Sequence, residues 1–301
     1  MIKHGALGDM VQGLDAFASL RSNLPSAHIA LLTSSPFAGL ASQMPWFDEV
    51  IVDPRAHALN VVQLLRVRGV LRRQWDVILD LQCSRRTARY LTMSNRSATR
   101  WFGTAPGASD PYPDFTGINN ADRMKIAVRK MCAQADDKSD RIADLKWLKE
   151  TTTNVDVPEK AFVMVPGCSP AKPSKRWSPE RFAMLAGLAA SSGYRPVIVG
   201  TAADRAAGDA VLKEAPDCVD LIGKTSLPQL ASLFANAAMV VGNDTGPVFL
   251  AAKANVPTLM VMGPDTDPES SAPQGKRAAW LKGTSIDDVR PEDVMARLMA
   301  L

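Results

Sequence analysis

Short apolar runs alternate with helical patterns along the first half of the chain. A short apolar run bounded by turn residues is typical of a buried parallel strand, whereas apolar residues spaced at the helical period are typical of a helix. This pattern predicts strands at His28–Thr33, Glu49–Val52 and Asp76–Asp80, helices near 10–22, 36–43, 58–72 and 119–135, and a loop at Gly103–Gly117. The first half is therefore predicted to be a parallel α/β domain.

The same alternation starts again after Thr151–Pro158, a polar stretch that is typical of a linker. The pattern predicts strands at Ala161–Val165, Arg195–Val199, Val219–Ile222, Met239–Val241 and Thr258–Met262, with helices at Ser178–Ser191, Ala203–Glu214, Leu227–Asn236 and Pro247–Lys253. We therefore expect an α/β protein of two Rossmann-like, doubly wound domains that face each other across a cleft.

The predicted domain boundaries follow from this repeat. We place an N-terminal domain at 1–153 and a C-terminal domain at 158–285. The remaining residues, 286–301, include an amphipathic helical pattern, which we expect to pack back toward the N-terminal domain. Only Met1-Ile2-Lys3 precede the first loop, so the first strand is predicted to be shortened.

The composition is that of an ordinary globular protein. The chain has 301 residues, of which 46% are apolar and 22% charged, and this length is enough for two domains. No apolar run is long enough to span a membrane, and the start has no secretory pattern, so we expect a cytoplasmic protein. The four cysteines stand far apart without a C-x-x-C pair, and we expect no metal and no cofactor.

The charge is concentrated in one part of the chain. Between Pro54 and Arg100 there are ten arginines against two acidic residues, Asp76 and Asp80. The planar guanidinium group binds phosphate and carboxylate well, so the stretch favours an anionic partner. The alternative is a solvated basic face. Nucleic acid is not expected, because no basic motif with interleaved aromatic residues accompanies the charge.

Two loops are candidates for a functional site. In the first, Gly5 and Gly8 allow close backbone approach, and Asp9 follows at the predicted start of a helix. Asp9 is either a helix cap or a group that acts on a ligand. In the second, an apolar strand breaks at Gly242 and a helix led by Pro247 follows, which is the form of an anion site or of an ordinary strand-to-helix connection.

A basic loop follows the first strand of the C-terminal domain. Pro166–Trp177 contains three cations and two serines, the chemistry that a leaving diphosphate needs, although a basic surface loop has the same composition. At the end of the next strand, Asp204 is placed either to accept hydrogen bonds from ribose hydroxyls or to stabilise a helix start.

Several short motifs stand in the order seen in glycosyltransferase family 9. They are G-A-L-G-D-M (5–10), K-R-W-S-P-E-R-F (175–182), V-I-V-G-T-A-A-D-R (197–205), V-V-G-N-D-T-G-P (240–247) and M-G-P-D-T-D-P (262–268). The chain resembles the ADP-heptose:lipopolysaccharide heptosyltransferases of this family. The resemblance implies the GT-B fold, with a nucleotide sugar held mainly by the C-terminal domain.

The resemblance also implies roles for individual residues. Asp9 corresponds to the general base, Lys175 to a donor-phosphate ligand, and Asp244-Thr245-Gly246 to a sugar and diphosphate loop. With their neighbours, the predicted donor-binding residues are Gly8, Ser169, Lys175, Asp204, Asp244, Thr245, Gly246 and Pro247. The acceptor is predicted to bind Arg66, Arg68 and Arg85. The stretch Gly263–Pro273 departs from the family pattern, which leaves the donor sugar open.

The predicted activity is inverting, metal-independent sugar transfer from a nucleoside diphosphate sugar, with ADP-heptose expected, to a lipopolysaccharide core acceptor. The expected partners are this donor, an anionic glycolipid and, through peripheral contact, the inner face of the inner membrane. Two alternatives remain open: a GT-B sugar-nucleotide epimerase or hydrolase, and a non-catalytic two-lobed sugar-nucleotide-binding protein.

Overall fold

The chain forms two compact units of parallel strands and helices. A computed structural model describes residues 1–55, 60–133, 141–147, 157–168 and 172–301. The units are Met1–Asp144 and Leu145–Leu301, and both are of the predicted α/β class. The expected boundary at 153 and most of the expected linker lie outside the described residues. Within those residues, no helix has the length and apolar character needed to cross a bilayer.

The first unit contains two small parallel sheets. One consists of β1 and β2, and the other of β3, β4 and β5 in that order. The strands are β1 Ala30–Ser34, β2 Glu49–Asp53, β3 Val77–Leu79, β4 Arg100–Gly103 and β5 Asp110–Pro111, and the helices are α1 Leu7–Gln12, α2 Leu14–Asn23, α3 Ser35–Ala41, α4 Val61–Leu71, α5 Arg85–Met93 and α6 Asn120–Met131.

Ile2 joins the two sheets of this unit. It makes isolated parallel bridges to Leu32 on one side and Asp80 on the other. Its amide donates to the carbonyl oxygen of Leu79 at 2.9 Å, and its own carbonyl oxygen accepts from Leu81 at 3.1 Å. The shortened first strand is thus confirmed, and it brings the loop after Ile2 to the carboxyl ends of β1 and β3.

The elements of this unit differ in part from the predicted ones. The helix expected at 10–22 is divided into α1 and α2 at Gly13, where the ring of Phe17 occupies the space of a side chain. Helix α5 and strands β4 and β5 were not predicted. Strand β4 has only two aromatic residues between Arg100 and Gly103, β5 has two residues within the expected loop, and α5 begins with two arginines, so each gives a weak periodic signal. The capping box of Ser84 and Thr87, which bond each other's backbone amides, marks the start of α5.

The second unit contains one six-stranded, fully parallel sheet. Its order is β11-β10-β9-β6-β7-β8, the order of the doubly wound nucleotide-binding fold. The strands are β6 Ala161–Val165, β7 Arg195–Ile198, β8 Val219–Asp220, β9 Met239–Asn243, β10 Thr258–Met262 and β11 Ala278–Lys282, and the helices are α7 Pro179–Ser191, α8 Arg205–Glu214, α9 Leu227–Asn236, α10 Gly246–Lys253, α11 Pro268–Ser271 and α12 Pro291–Met299. The edge strand β11 was not predicted, since it is only partly buried.

The last helix has a buried apolar side. The apolar side of α12, formed by Val294, Met295 and Leu298, lies in the core of the second unit with Phe182 and Leu185 of α7. The expectation that this segment packs back toward the first domain stays a prediction. The amphipathic pattern correctly indicated a buried side, but it did not identify the partner.

Candidate functional site

The strand order of the second unit places two loops at the edge where open parallel sheets bind ligands. From β6 the chain winds outward to β7 and β8, and it then returns to β9 on the other side of β6. In open parallel sheets, ligands bind outside the carboxyl ends of the strands where the direction of winding reverses. The loops that follow β6 and β9 therefore form the candidate site of this unit.

Asn243 ties these two loops together. It is the last residue of β9, and its side chain is completely buried. Its Nδ2 donates to the carbonyl oxygen of Pro166 at 2.8 Å, and its Oδ1 accepts from the backbone amide of Trp177 at 3.0 Å. Because one buried amide binds both ends of the loop after β6, it holds this loop at the end of β9.

Lys175 and Asp244 form an ion pair at this edge. Lys175 Nζ donates to Asp244 Oδ2, and the hydroxyl group of Thr266, from the loop after β10, donates to the same oxygen at 2.9 Å. The side chains of Lys175 and Asp244 are 16% and 9% exposed. Two of the predicted donor-binding residues are thus in direct contact, and Thr266 joins them.

Gly242 allows this close arrangement. A Cβ atom added at Gly242 would lie 2.7 Å from Cβ of Val165 and 2.8 Å from a methyl group of Val248, so a side chain would not fit. The strand was expected to break at Gly242, but β9 continues to Asn243, and Gly242 stays in register beside Val165. The turn that follows is correspondingly shorter than predicted.

Helix α10 begins directly after the ion pair. Thr245 is its N-cap residue, Gly246 is its first residue, and Pro247 lies in its first turn. The amino end of a helix carries partial positive charge, and its backbone amides are common ligands of phosphate. These three residues therefore lie where the sequence predicts a diphosphate, next to Lys175 and Asp244.

Asp204 has a structural role in this unit. Its Oδ2 accepts from the backbone amide and the hydroxyl group of Thr201, at 2.8 and 2.7 Å. The same side chain lies against Gly167, in the loop after β6. Asp204 is thus at the correct edge of the sheet, and a bond to ribose stays a prediction. Ser169, another predicted donor ligand, lies outside the described residues.

Asp9 in the first unit does not cap its helix. Ala6 is the N-cap residue of α1, without a side-chain bond, and Gly8 is buried in the first turn. Asp9 Oδ1 accepts from Asn120 Nδ2 at 3.2 Å, and its Oδ2 lies 3.9 Å from Lys3 Nζ. The Asp9 side chain is 41% exposed, whereas Lys3 is 2% exposed. The carboxylate is therefore held by two groups and is still accessible.

The environment of Lys3 is unusual for an ammonium group. Burial lowers the pKa of Lys3, and the nearby Asp9 carboxylate offsets part of this shift. Its Nζ also lies 3.4 Å from the carbonyl oxygen of Leu81, which it can donate to. Because the side chain is enclosed, Lys3 is a fixed source of positive charge beside Asp9 when it is protonated.

A second buried network lies beside this loop. Asp53 Oδ2 is 2.8 Å from His4 Nε2 and accepts from the hydroxyl group of Tyr90 at 2.6 Å, and Oδ1 accepts from the amide of Arg55 at 2.7 Å. Burial alone would raise the pKa of Asp53, but these hydrogen bonds lower it below its ordinary value. The network joins the loop after Ile2 to the end of β2 and to α5.

The three predicted acceptor arginines do not form one cluster. All three side chains are exposed. Arg66 and Arg68 lie two positions apart on α4, which corresponds to about 200° of rotation, so they leave the helix in nearly opposite directions. Arg85 begins α5, three residues after Gln82, whose Oε1 accepts from the amide of His4 at 2.9 Å. Arg85 therefore belongs to the strand-end edge that also holds the loop of Asp9.

Sequence reasoning missed four residues that contact the predicted ones. Lys3 and Asn120 contact Asp9, Thr266 contacts Asp244, and Asn243 holds the loop that contains Lys175. Asn243 and Thr266 stand inside motifs that the sequence does contain. Asn120 had only the signal of a helix start, and Lys3 had none.

The chain is thus a two-domain α/β protein of the Rossmann type. Its parallel sheets have polar residues at their strand ends, among them Lys175 at the strand reversal and the accessible Asp9. The family model of "Glycosyltransferase family 9 (heptosyltransferase)" matches residues 121–291. This match covers more than half of the chain, and the chain therefore belongs to glycosyltransferase family 9. It is accordingly a glycosyltransferase.

Known heptosyltransferases resemble the chain over nearly its whole length. Lipooligosaccharide heptosyltransferase 2 of Haemophilus influenzae is 25% identical, over 92% of this chain and 86% of the relative. The structure of Escherichia coli ADP-heptose lps heptosyltransferase II has a TM-score of 0.78 at 22% identity, covering 99% of this chain and 96% of that one. The structure of E. coli heptosyltransferase WaaC with ADP has a TM-score of 0.82 at 19% identity, covering 99% of this chain and 98% of that one. These likenesses confirm the predicted GT-B fold.

Proposed function

We propose that the protein transfers a heptose from ADP-heptose to an acceptor in the core of a lipopolysaccharide. The observation that carries this proposal is the membership of family 9 together with the Lys175–Asp244 pair at the strand reversal. A relative is named as a lipooligosaccharide heptosyltransferase, and a similar structure was solved with ADP. Both support the same donor and acceptor class.

The donor site is proposed to lie at the carboxyl ends of β6 and β9. A diphosphate at the amino end of α10 competes with Asp244 for Lys175, because both are anions within reach of the same ammonium group. As Lys175 binds phosphate, Asp244 becomes available to accept hydrogen bonds from sugar hydroxyls. Thr245, Gly246 and Pro247 complete this site, with Ser169 and Asp204 as further predicted ligands.

In the proposed reaction, Asp9 is the general base. An acceptor hydroxyl attacks the anomeric carbon, Asp9 takes the hydroxyl proton, and the bond from the anomeric carbon to the diphosphate oxygen breaks, so that the configuration inverts. General base catalysis contributes about 10² to 10⁴ in rate. Lys175 and the helix amides stabilise the charge on the departing diphosphate. Gly8, which adjoins Asp9, is a further predicted donor-binding residue.

The acceptor is proposed to be an anionic glycolipid. Among the predicted ligands, Arg85 has the strongest support, since the side chain of Gln82 links its loop to the loop of Asp9. Arg66 and Arg68 point in different directions, so at most one of them can act at the same contact as Arg85. A lipid-linked acceptor also implies peripheral contact with the inner face of the inner membrane and a cytoplasmic location.

A thermal-shift comparison of nucleoside diphosphates tests the proposed donor. We expect ADP to raise the Tm more than UDP or GDP does, and Lys175→Ala to reduce this increase. A larger increase with UDP or GDP would contradict ADP-heptose as the donor. The epimerase or hydrolase alternative predicts that the nucleotide sugar is consumed without acceptor, and the binding-protein alternative predicts binding without turnover.

A further inference from the structure

Apolar side chains cluster on the exposed side of helix α4. Val61, Val62 and Leu65 are 62%, 64% and 56% exposed, and Val52 of strand β2 is 47% exposed. Val61, Val62 and Leu65 share one face of the helix and are called here the α4 patch; they are three of the eight large apolar side chains that are exposed in the described part of the chain. Isolated exposed apolar residues are common, whereas a cluster of them marks an interaction surface.

The opposite side of α4 is firmly anchored. Val67 and Leu71 are buried in a core cluster with Ile2 and Ile78. The side chain of Asn60 caps the helix by accepting from the amide of Gln63 at 3.1 Å. The exposed apolar side is therefore a fixed surface of a stable helix.

Unpaired arginines flank this patch. Arg66 and Arg68 follow on the same helix, and Arg72 is its C-cap residue; none of the three forms a salt bridge with a residue whose position the structure describes. Arg73, by contrast, binds both carboxylate oxygens of Glu49. The sequence has no acidic residue from 54 to 75. The surface thus combines exposed apolar side chains with unneutralised positive charge.

We propose that the α4 patch docks on a bilayer surface that contains anionic phospholipid. A helix with apolar side chains and arginines inserts the former among the headgroups while the latter bind lipid phosphates. A second copy of this chain fits less well, because a symmetric contact would place the same unpaired arginines next to each other. The inference rests on the proposed function, in which the acceptor is carried by lipid at that surface.

Sedimentation with vesicles tests the docking surface. The vesicles contain equal parts of phosphatidylglycerol and phosphatidylcholine and no lipopolysaccharide. The variant Val61→Ser, Val62→Ser, Leu65→Ser is expected to bind at least about tenfold more weakly than the wild type. The matched control is Ile142→Ser, Met184→Ser, which removes apolar side chains that are 81% and 51% exposed elsewhere, and it should bind normally.

The charge is tested separately with Arg72→Gln. This change should weaken binding about fivefold on the anionic vesicles and have no effect on phosphatidylcholine alone. Normal vesicle binding by the triple variant would overturn the proposal. Failure of the wild type to bind the vesicles would also overturn it. The same holds if sedimentation velocity shows that the wild type associates with itself through the α4 patch instead.

A second measurement separates this inference from the proposed function. With acceptor dispersed in detergent, the triple variant should keep the kcat of the wild type, since the patch then has no membrane to bind. If neither the wild type nor the triple variant transfers heptose but the vesicle results are as expected, the proposed function fails and the docking surface stands. If transfer is normal but the vesicle results are not as expected, only the docking surface fails.

Discussion

Asn120 Nδ2 donates a hydrogen bond to Asp9 Oδ1 at 3.2 Å, although 111 positions of the chain separate the two residues. Asn120 is the first residue of α6, and the side chain of Asn119 caps this helix by accepting from the amide of Ala121. The placement of α6 thus fixes a hydrogen-bond donor, the Asn120 amide group, opposite Asp9. We infer that Asn120 is a positioning residue for the proposed general base.

Replacing Asn120 tests this role. Asn120→Ala should lower kcat about tenfold, because a hydrogen bond to a charged group contributes about 1.5 to 3 kcal/mol. The KM for the donor should not change, since Asn120 is inferred to act through Asp9 and is not among the predicted donor ligands. Asn120→Asp should lower kcat further, because it places a second carboxylate next to Asp9. Steady-state kinetics with both substrates gives these values.

The control for this prediction is Asp122→Asn on the same turn of α6. Asp122 pairs with Lys125 at 3.6 Å and is 51% exposed, so its replacement should leave kcat unchanged. If Asn120→Asp and Asn120→Ala had equal effects, or if both only raised KM, Asn120 would not act through Asp9.

Lys175 is predicted to act on the donor. Lys175→Ala should lower kcat/KM for the donor about 100-fold, because it removes a charge that stabilises the departing diphosphate. Lys172→Ala is the matched control in the same loop, since Lys172 is exposed and should be dispensable. Equal losses in the two variants would indicate a general effect of loop charge and would remove the specific role of Lys175.

Arg85 is predicted to bind the acceptor. Arg85→Ala should raise the KM for the acceptor about tenfold and leave the KM for the donor unchanged, as expected when one charge-assisted contact is lost. Arg89→Ala, on the next turn of α5 and also exposed, is the control. A change in donor KM alone would place Arg85 at the other substrate.

The buried network around Asp53 predicts a pH dependence of stability. Because the folded-state pKa of Asp53 is lowered, its stabilising contribution is present above its pKa in the unfolded chain, about 3.9, and is lost as the pH falls through the lower folded value. Asp53→Asn should reduce the free energy of unfolding by about 2 kcal/mol at neutral pH. Denaturant titrations should show that this difference shrinks below about pH 4. A difference that stays constant to low pH would assign the effect to packing.

The main features of the second unit could be predicted from local patterns. A buried strand, a short turn and a capped helix have clear signals, so the loops containing Lys175 and Asp244 were both identified. The ion pair between them was not predicted, because the contact depends on β6 and β9 lying side by side, and this order is a property of the whole sheet.

Tertiary contacts explain what the sequence did not indicate. Asn120 resembles any polar residue at a helix start, and only the packing of α6 gives it a partner. Ile2 alone pairs with both sheets, at the position where a whole strand would ordinarily lie. Lys3 follows it directly and is therefore a buried neighbour of Asp9. The pattern of α12 predicted a buried face correctly, but periodicity contains no information about the surface that it contacts.

Transfer of heptose to the acceptor is the central claim, and it is tested most directly by mass spectrometry of the glycolipid after incubation with ADP-heptose. The wild type should add one heptose to each core acceptor molecule and release ADP in equal amount, only when acceptor is present. Asp9→Asn should retain the Tm increase with ADP and lose the glycolipid product. Release of ADP at the same rate without acceptor, or an acceptor whose mass does not change, would contradict the account.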